Sequence, residues 1–581
     1  MKKLLLFSLL FAMLLNVQSQ KIEFENEYEF ASLKTDSYLG EVEYNPADKT
    51  TSLYYVEKDM LKTTFTTYHF DEKMQFINEE SKDFSIIDAT KEEIAAVRNS
   101  FAWFDYRGES YTKEFIDVYP SFGGKLIATR QKVTYNFNWN LGIYLPKFDK
   151  AENVKIKGDA DQKIYLYDHV VNTETGVAYL LVGVKAPKGS DEKYLHTRNF
   201  QIVKLNQNLE VEYLEEIKFD YNMAISFKRL VYEEGFAPDE EMEVEDINKG
   251  KLYMVFSPIK TMLGKKFRSP NAGDNTLVVV DENGKIEAKV EFTTKTTGWV
   301  IEDMVLDKTN DLYFYGPAKD EAYVNSVMPT NSPLTSRTEV KDIKWKNFQV
   351  MKISDYRFQW INSTDLKEFK AKAVAPPSQK KMPVYVGKKF AIGISFITPG
   401  GELIITGQKY TTKSAPDPKK EGSTMKVIDE YKDLVMFHFD DKGILKAQYG
   451  IRRDKMNRYS KAYITPQDIY MSPDGNSMYW VYGEIKGMRS GLALTGGLLE
   501  VAGVSTLAKR KLLYYPAVAI VNLAEGKIGD FVPLGRDAEG KQRFYTHPNI
   551  PQIFSPDGKY LTFIGENKKG SSVWLARMMV N

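Results

Sequence analysis

The stretch Pro551-Gln552-Ile553-Phe554-Ser555-Pro556-Asp557-Gly558-Lys559-Tyr560-Leu561-Thr562-Phe563-Ile564-Gly565 holds a short apolar run, a tight turn and an alternating strand closed by glycine. Proline presets φ at the first corner of the turn, Asp bonds its own backbone, and Gly takes the φ > 0 position that a hairpin needs. The unit recurs as Ile469-Tyr470-Met471-Ser472-Pro473-Asp474-Gly475 followed by Ser477-Met478-Tyr479-Trp480-Val481-Tyr482-Gly483. Altered copies occupy 118–127, 305–316 and 396–407. An internal repeat decides the architecture before any other feature does.

A second kind of hairpin alternates with the first. Residues 67–76 and 435–444 share His-Phe-Asp-acid-Lys, and 202–209, 279–286 and 520–528 each set an apolar strand before a polar turn and a further strand. One hairpin of each kind makes a four-stranded meander. The inner turns fall near residues 47, 123, 175, 249, 309, 400, 474 and 557, about 70 residues apart. The expected fold is all-β, a single β-propeller of about eight four-stranded blades, with seven as the alternative. The last unit ends one strand short, at 572–578, whereas the chain begins with a solitary alternating strand at 22–30. The N-terminal strand is therefore expected to close the ring.

The run Phe554-Ser555-Pro556-Asp557-Gly558-Lys559-Tyr560-Leu561-Thr562-Phe563 resembles the WD40-like Ser-Pro-Asp-Gly repeat of TolB-type propellers, and Met471-Ser472-Pro473-Asp474-Gly475 is similar. The other copies lack the Pro-Asp-Gly centre. The resemblance implies a propeller, often exported in bacteria, that binds proteins or gates an attached enzyme.

Composition agrees with a large sheet-built core: 36 Tyr and 33 Phe among 581 residues, with 43% apolar residues overall. Lys2 and Lys3, the apolar run 4–15 and the small residues at 17–19 read as a signal peptide over 1–19, leaving a mature chain of 20–581 without a transmembrane segment. The location expected is periplasmic or extracellular, with peripheral envelope association open. The formal charge is +1, and removing the leader's two lysines leaves the mature chain close to neutral, so no bulk field recruits nucleic acid. There is no cysteine, hence no disulfide and no thiolate metal site.

Four stretches interrupt the repeat. The acidic segment 233–246 and the Pro/Lys-rich segments 367–389 and 411–429 read as loops, the latter two as mobile ones. The apolar segment 487–513 reads as an insert that either plugs the ring or docks a partner or a membrane surface, with Leu498 and Leu499 as the residues that decide.

Chemistry is sparser. No Gly-x-Ser-x-Gly elbow is present, and the five histidines, His69, His169, His196, His438 and His547, include no close pair, so neither a metal nor a cofactor is expected. His69 and His438 occupy equivalent repeat positions and read as fillers of one structural slot. Gly123-Gly124, Gly400-Gly401 and Gly496-Gly497 belong to turns or to the insert, and Arg452-Arg453 with Asp454 reads as solvated surface. Acids just before inner strands, Asp117, Glu302, Asp303 and Asp468, are candidates for the channel rim, with Trp299 as a sugar platform. The principal expectation is a non-enzymatic scaffold binding a protein or a glycan. The alternative is a carbohydrate-active propeller enzyme, a glycoside hydrolase or lyase, using carboxylates around the central channel.

Overall fold

Strand order follows chain order almost throughout, and pairing between sequence neighbours builds the molecule. The computed structural model describes residues 22–580 except 35–36, 46, 59–61, 86–89, 91–110, 121–125, 139–142, 158–162, 172–176, 193, 232–249, 260, 263–264, 267–273, 297, 308, 320–343, 417–424, 454–456, 490–510, 548–551 and 556–557. Among the described residues the strands form successive antiparallel groups spanning 38–85, 111–156, 164–218, 223–293, 298–365, 390–451, 467–533 and 544–579, here called the first to the eighth blade. A single bridge, Tyr514 to Thr546, joins the seventh to the eighth. The strand Ile22–Glu29 pairs antiparallel with Ser572–Met579, so the N-terminal strand completes the eighth blade as expected.

The apolar core is divided between blades. Phe200 and Ile202 of the third blade pack on Phe256 and Val278 of the fourth, whose Val255 and Leu277 pack on Phe314 and Met351 of the fifth. Phe348 then meets Phe437, Tyr449 meets Trp480, Val518 meets Phe563, and Ile564 and Leu575 meet Leu53 and Tyr68 of the first blade. Leu126 and Ala128 of the second blade join Leu180 and Val203 of the third. A sheet sandwiched between two neighbours must be apolar on both faces. The second strands Ala178–Val184 and Leu252–Pro258 are accordingly buried along their whole length. The fourth strand Phe76–Ser85 is mostly exposed and reads NEESKD at its centre. This radial stacking of sheets is a β-propeller.

The turns work by the expected chemistry. Ser472 and Ser555 donate their N–H groups to Ser477 and Tyr560 at 2.9 and 2.8 Å, and Gly475 and Gly558 return to the two serine carbonyls at 2.9 Å each. These glycines have φ of 70° and 69°. Between third and fourth strands a different device recurs: Oδ1 of Asp71, Asp281 and Asp440 accepts the N–H groups two and four residues on, which pins the turn.

Several local expectations are corrected. Segment 367–389 is built into the ring: Asp365 caps the helix Leu366–Ala371, Ala373–Val374 pairs parallel with Gln448 and Tyr449, and Tyr385 is buried among Phe348, Phe369 and Phe437. In 411–429 the ends extend the long hairpin Leu403–Pro416 with Met425–Phe439, whereas 417–424 lie outside the described residues. Arg453 is buried, its guanidinium gripping Glu484 through Nε at 2.9 Å and Nη2 at 2.6 Å, because it lies between the sixth and seventh blades instead of on the surface. The flanks of 487–513 pair with each other, Gly487 opposite Leu513 and Arg489 opposite Lys511. Leu498, Leu499, segment 233–246 and the expected leader segment 1–19 lie outside the described residues. Among the described residues no helix is long and apolar enough to cross a membrane.

Candidate active site at the channel

The first strands of successive blades touch one another, Tyr111–Pro120 with Ile164–Val171, and Phe390–Ile397 with both Asp303–Leu306 and Gln467–Met471, so they line the axis. Such a strand is an edge, and part of its N–H groups face the channel without a ladder partner. Three blades answer this identically. Asp117, Asp168 and Asp303 each accept the N–H of the following residue, Val118, His169 and Met304, at 2.8, 2.9 and 2.8 Å. The same carboxylates reach a basic group of an adjacent blade: Asp117 to His169 Nε2 at 3.9 Å, Asp168 to Lys228 Nζ at 2.6 Å and Asp303 to Arg229 Nη1 at 2.5 Å. Lys228 and Arg229 also donate to the His169 and Met304 carbonyls. Asp117 and Asp303 are thus members of a repeated stitch between blades, and a structural role accounts for both.

Glu302 stands apart. It belongs to a bulge, because Trp299 pairs with Ala318 and Asp303 with Tyr315, leaving three residues opposite two. The bulge needs Gly316: a Cβ there would lie 1.9 Å from the Val300 carbonyl oxygen. Among the described residues the Glu302 side chain has no hydrogen-bond or ion partner, and it is exposed, one residue before the strand Asp303–Leu306 that touches Phe390–Ile397. Desolvation, and secondarily the Asp303 charge, push its carboxyl up to about 7.

Trp299 is corrected as a sugar platform. It is 4% exposed, packs against Phe292, and donates its indole N–H to the Gly316 carbonyl at 3.2 Å, so it supports the bulge from beneath.

Asp468 lies two blades further on and is not brought into contact with Glu302. Its carboxylate accepts the side-chain amide of Gln552, from the eighth blade, and desolvation holds its carboxyl above the usual range against that bond. Beside it Gln467 Oε1 accepts Trp480 Nε1 at 3.1 Å. Between these groups, in the sixth blade, Ser395 Oγ accepts the Tyr315 hydroxyl at 2.6 Å.

His69 and His438 both sit on third strands, away from the channel, bonded to Ser52 Oγ and Glu402 Oε2 at 2.9 Å each. His547 accepts the Leu39 N–H at 3.0 Å, joining the eighth blade to the first. Among the described residues no group of three or more His, Cys, Asp or Glu is placed to hold a metal ion. Sequence reasoning missed Lys228, Arg229 and Gln552, the partners that separate a stitched acid from an unstitched one. The one signal was Asp followed at once or after one residue by Val, in Asp117-Val118, Asp168-His169-Val170 and Asp303-Met304-Val305.

No family model matches the chain, and no curated protein does. Solved structures do. The Synechocystis apocarotenoid oxygenase is 12% identical over 96% of this chain and 94% of its own, with a TM-score of 0.24. The polysaccharide lyase Uly1 is 11% identical over 82% and 91%, with a TM-score of 0.23. An α-L-arabinofuranosidase from Fusarium graminearum is 11% identical over 73% and 96%, with a TM-score of 0.22. These likenesses assign no substrate to this chain. The expected non-enzymatic scaffold is corrected on this chain's own residues: Glu302 is, among the described residues, a carboxyl without a partner and is pushed up to about 7, which a purely structural acid does not call for.

Proposed function

We propose that the protein is a carbohydrate-active propeller enzyme in which Glu302 exchanges the proton at the scissile glycosidic linkage. The observation that carries the reading is an exposed carboxyl that has no partner among the described residues, pushed up to about 7 beside a neighbouring acid that is tied to Arg229. A carboxylic acid that is half protonated near neutrality suits general acid or base work. Arg229 and the Met304 N–H hold Asp303 in place, and Asp303 in turn disfavours the charged form of Glu302. The segment 1–19, with the pattern of a signal peptide, supports export to where polysaccharides are met, and the two Ser-Pro-Asp-Gly turns resemble those of TolB-type propellers.

The test is a turnover screen across neutral and uronate-containing polysaccharides at pH 7. A substrate should emerge, and Glu302→Gln should reduce its kcat about 100-fold or more, the usual worth of a general acid. Turnover that Glu302→Gln leaves intact would assign the chemistry elsewhere, and no turnover across the panel would remove the reading.

A further inference from the structure

The stitches between first strands form a series, and one member is chemically different. In two of them an aspartate meets a cation, Asp168 with Lys228 and Asp303 with Arg229, and in a third Asp117 faces the His169 imidazole at 3.9 Å. Where the seventh blade meets the eighth, Asp468 occupies the corresponding place, but the group that crosses over is the neutral amide of Gln552. A lysine in that place would make the stronger stitch, as Lys228 does at 2.6 Å. Gln552 bonds both Asp468 and the Tyr470 hydroxyl, and among the described residues no Lys, Arg or His acts on the Asp468 carboxyl. The slot thus keeps the cross-blade contact of a stitch and, among the described residues, gives up its charge compensation.

The surface between Asp468 and Glu302 fits the same reading. The first strand of the sixth blade, Phe390–Ile397, reads FAIGISFI, without a charged side chain, and packs beside the strand that carries Asp468 and the strand that directly follows Glu302. It bulges between Ile392 and Ser395, and within the bulge Gly393 is exposed. A Cβ on Gly393 would come 3.6 Å from Gln467 Nε2. Because Gln467 Oε1 is engaged by Trp480, its NH2 end is the part turned to that exposed backbone. From Glu302 to Asp468 the channel therefore presents backbone and amide groups flanked by two carboxyls, with no cation on the strand between them.

We propose that Asp468 is a second proton-exchanging group of the channel, and that it and Glu302 face one neutral saccharide laid across Phe390–Ile397. Sugar hydroxyls match the amide and backbone groups, whereas a uronate carboxylate would meet two acids and no cation on this strand. The inference rests on the proposed carbohydrate chemistry, and its test separates the two.

A panel of protonated iminosugars, which are sugar-shaped cations, is titrated calorimetrically into wild type, Asp468→Asn, Gln552→Lys and Glu302→Gln, with melting temperature and neutral-polysaccharide turnover measured in parallel. Gln552→Lys gives Asp468 the partner that Asp168 already has. It should hold or raise the melting temperature while weakening iminosugar binding about tenfold or more, and Asp468→Asn, which keeps the shape, should weaken it similarly. A purely structural stitch predicts the reverse, a lower melting temperature in Asp468→Asn and unchanged binding in both variants. That outcome, or the absence of iminosugar binding in wild type, overturns the proposal. If iminosugars bind with the expected variant pattern but no polysaccharide is turned over, the saccharide slot between Asp468 and Glu302 stands, and the enzymatic reading falls together with the proton-exchanging role of Asp468.

Discussion

Replacing Arg577 with Met removes the charge that locks the ring shut. Arg577 lies on the last strand, its side chain 8% exposed, with Nε donating to Glu23 Oε2 at 2.6 Å and Nη1 to the Glu72 carbonyl. Its guanidinium also lies 4.3 Å from the Tyr560 ring and 5.1 Å from that of Phe24. Met preserves most of the apolar stem, so the loss isolates the charge. Breaking one side of a buried ion pair costs about 3–5 kcal/mol, and because Glu23 keeps 33% of its surface the low end, about 3 kcal/mol, applies. The cation–π contacts add about 1 kcal/mol. Urea unfolding of wild type, Arg577→Met, Glu23→Gln and the double variant gives the coupling directly. The expected pattern is a lowered midpoint in each single variant, with the second substitution costing little once the first is made. A midpoint unchanged in Arg577→Met, or fully additive losses, would refute the claim that this contact holds the N-terminal strand Ile22–Glu29 in the eighth blade.

Three further outcomes follow from the same packing. Gly316→Ala should cost about 3 kcal/mol or more in thermal or chemical unfolding, since its Cβ would overlap the Val300 carbonyl at 1.9 Å; a near-neutral effect would mean that the bulge bearing Glu302 is not fixed. Arg453→Lys should cost about 1–2 kcal/mol despite keeping the charge, because lysine cannot reproduce the two-pronged contact with Glu484, and a loss no larger than that of an exposed Arg would contradict its buried placement. Glu302→Gln should change the pH dependence of stability. In the folded protein the carboxyl is raised from 4.5 to about 7, so below pH 4.5 variant and wild type should melt alike. Between pH 4.5 and 7 the unfolded chain gives up the proton first, so wild type loses stability as pH rises and the variant gains on it, with no further change above about 7; a gap that opens in acid instead would reverse the sign and sink the assignment.

The turns explain why so much of the fold was readable. Proline, aspartate and glycine act locally, so Ser472-Pro473-Asp474-Gly475 announces a hairpin wherever it occurs, and Asp281 or Asp440 pins a turn through its own next four residues. The closing glycines were visible too, although their reason is a neighbour: a Cβ on Gly407 would meet the Ala391 carbonyl at 2.6 Å and one on Gly565 the Tyr545 carbonyl at 2.3 Å. The candidate site was half legible. Acids before inner strands could be named, but whether each is stitched depends on a partner 52 to 84 residues away, as in Asp117 with His169 and Asp468 with Gln552. No local pattern encodes that register. Trp299 and Arg453 misled for the same reason, since only the stacking of a neighbouring blade buries them. The segment 367–389 looked unstructured because its order comes from Asp365 at the helix start and from Tyr385 in an aromatic cluster between two blades.

The pH dependence of kcat/KM on the polysaccharide found in the screen tests the central claim most directly. If protonated Glu302 is the proton donor, the rate should fall as pH rises through about 7, and the residual activity of Glu302→Gln should lack that limb. A limb near 7 that persists in Glu302→Gln would contradict the account.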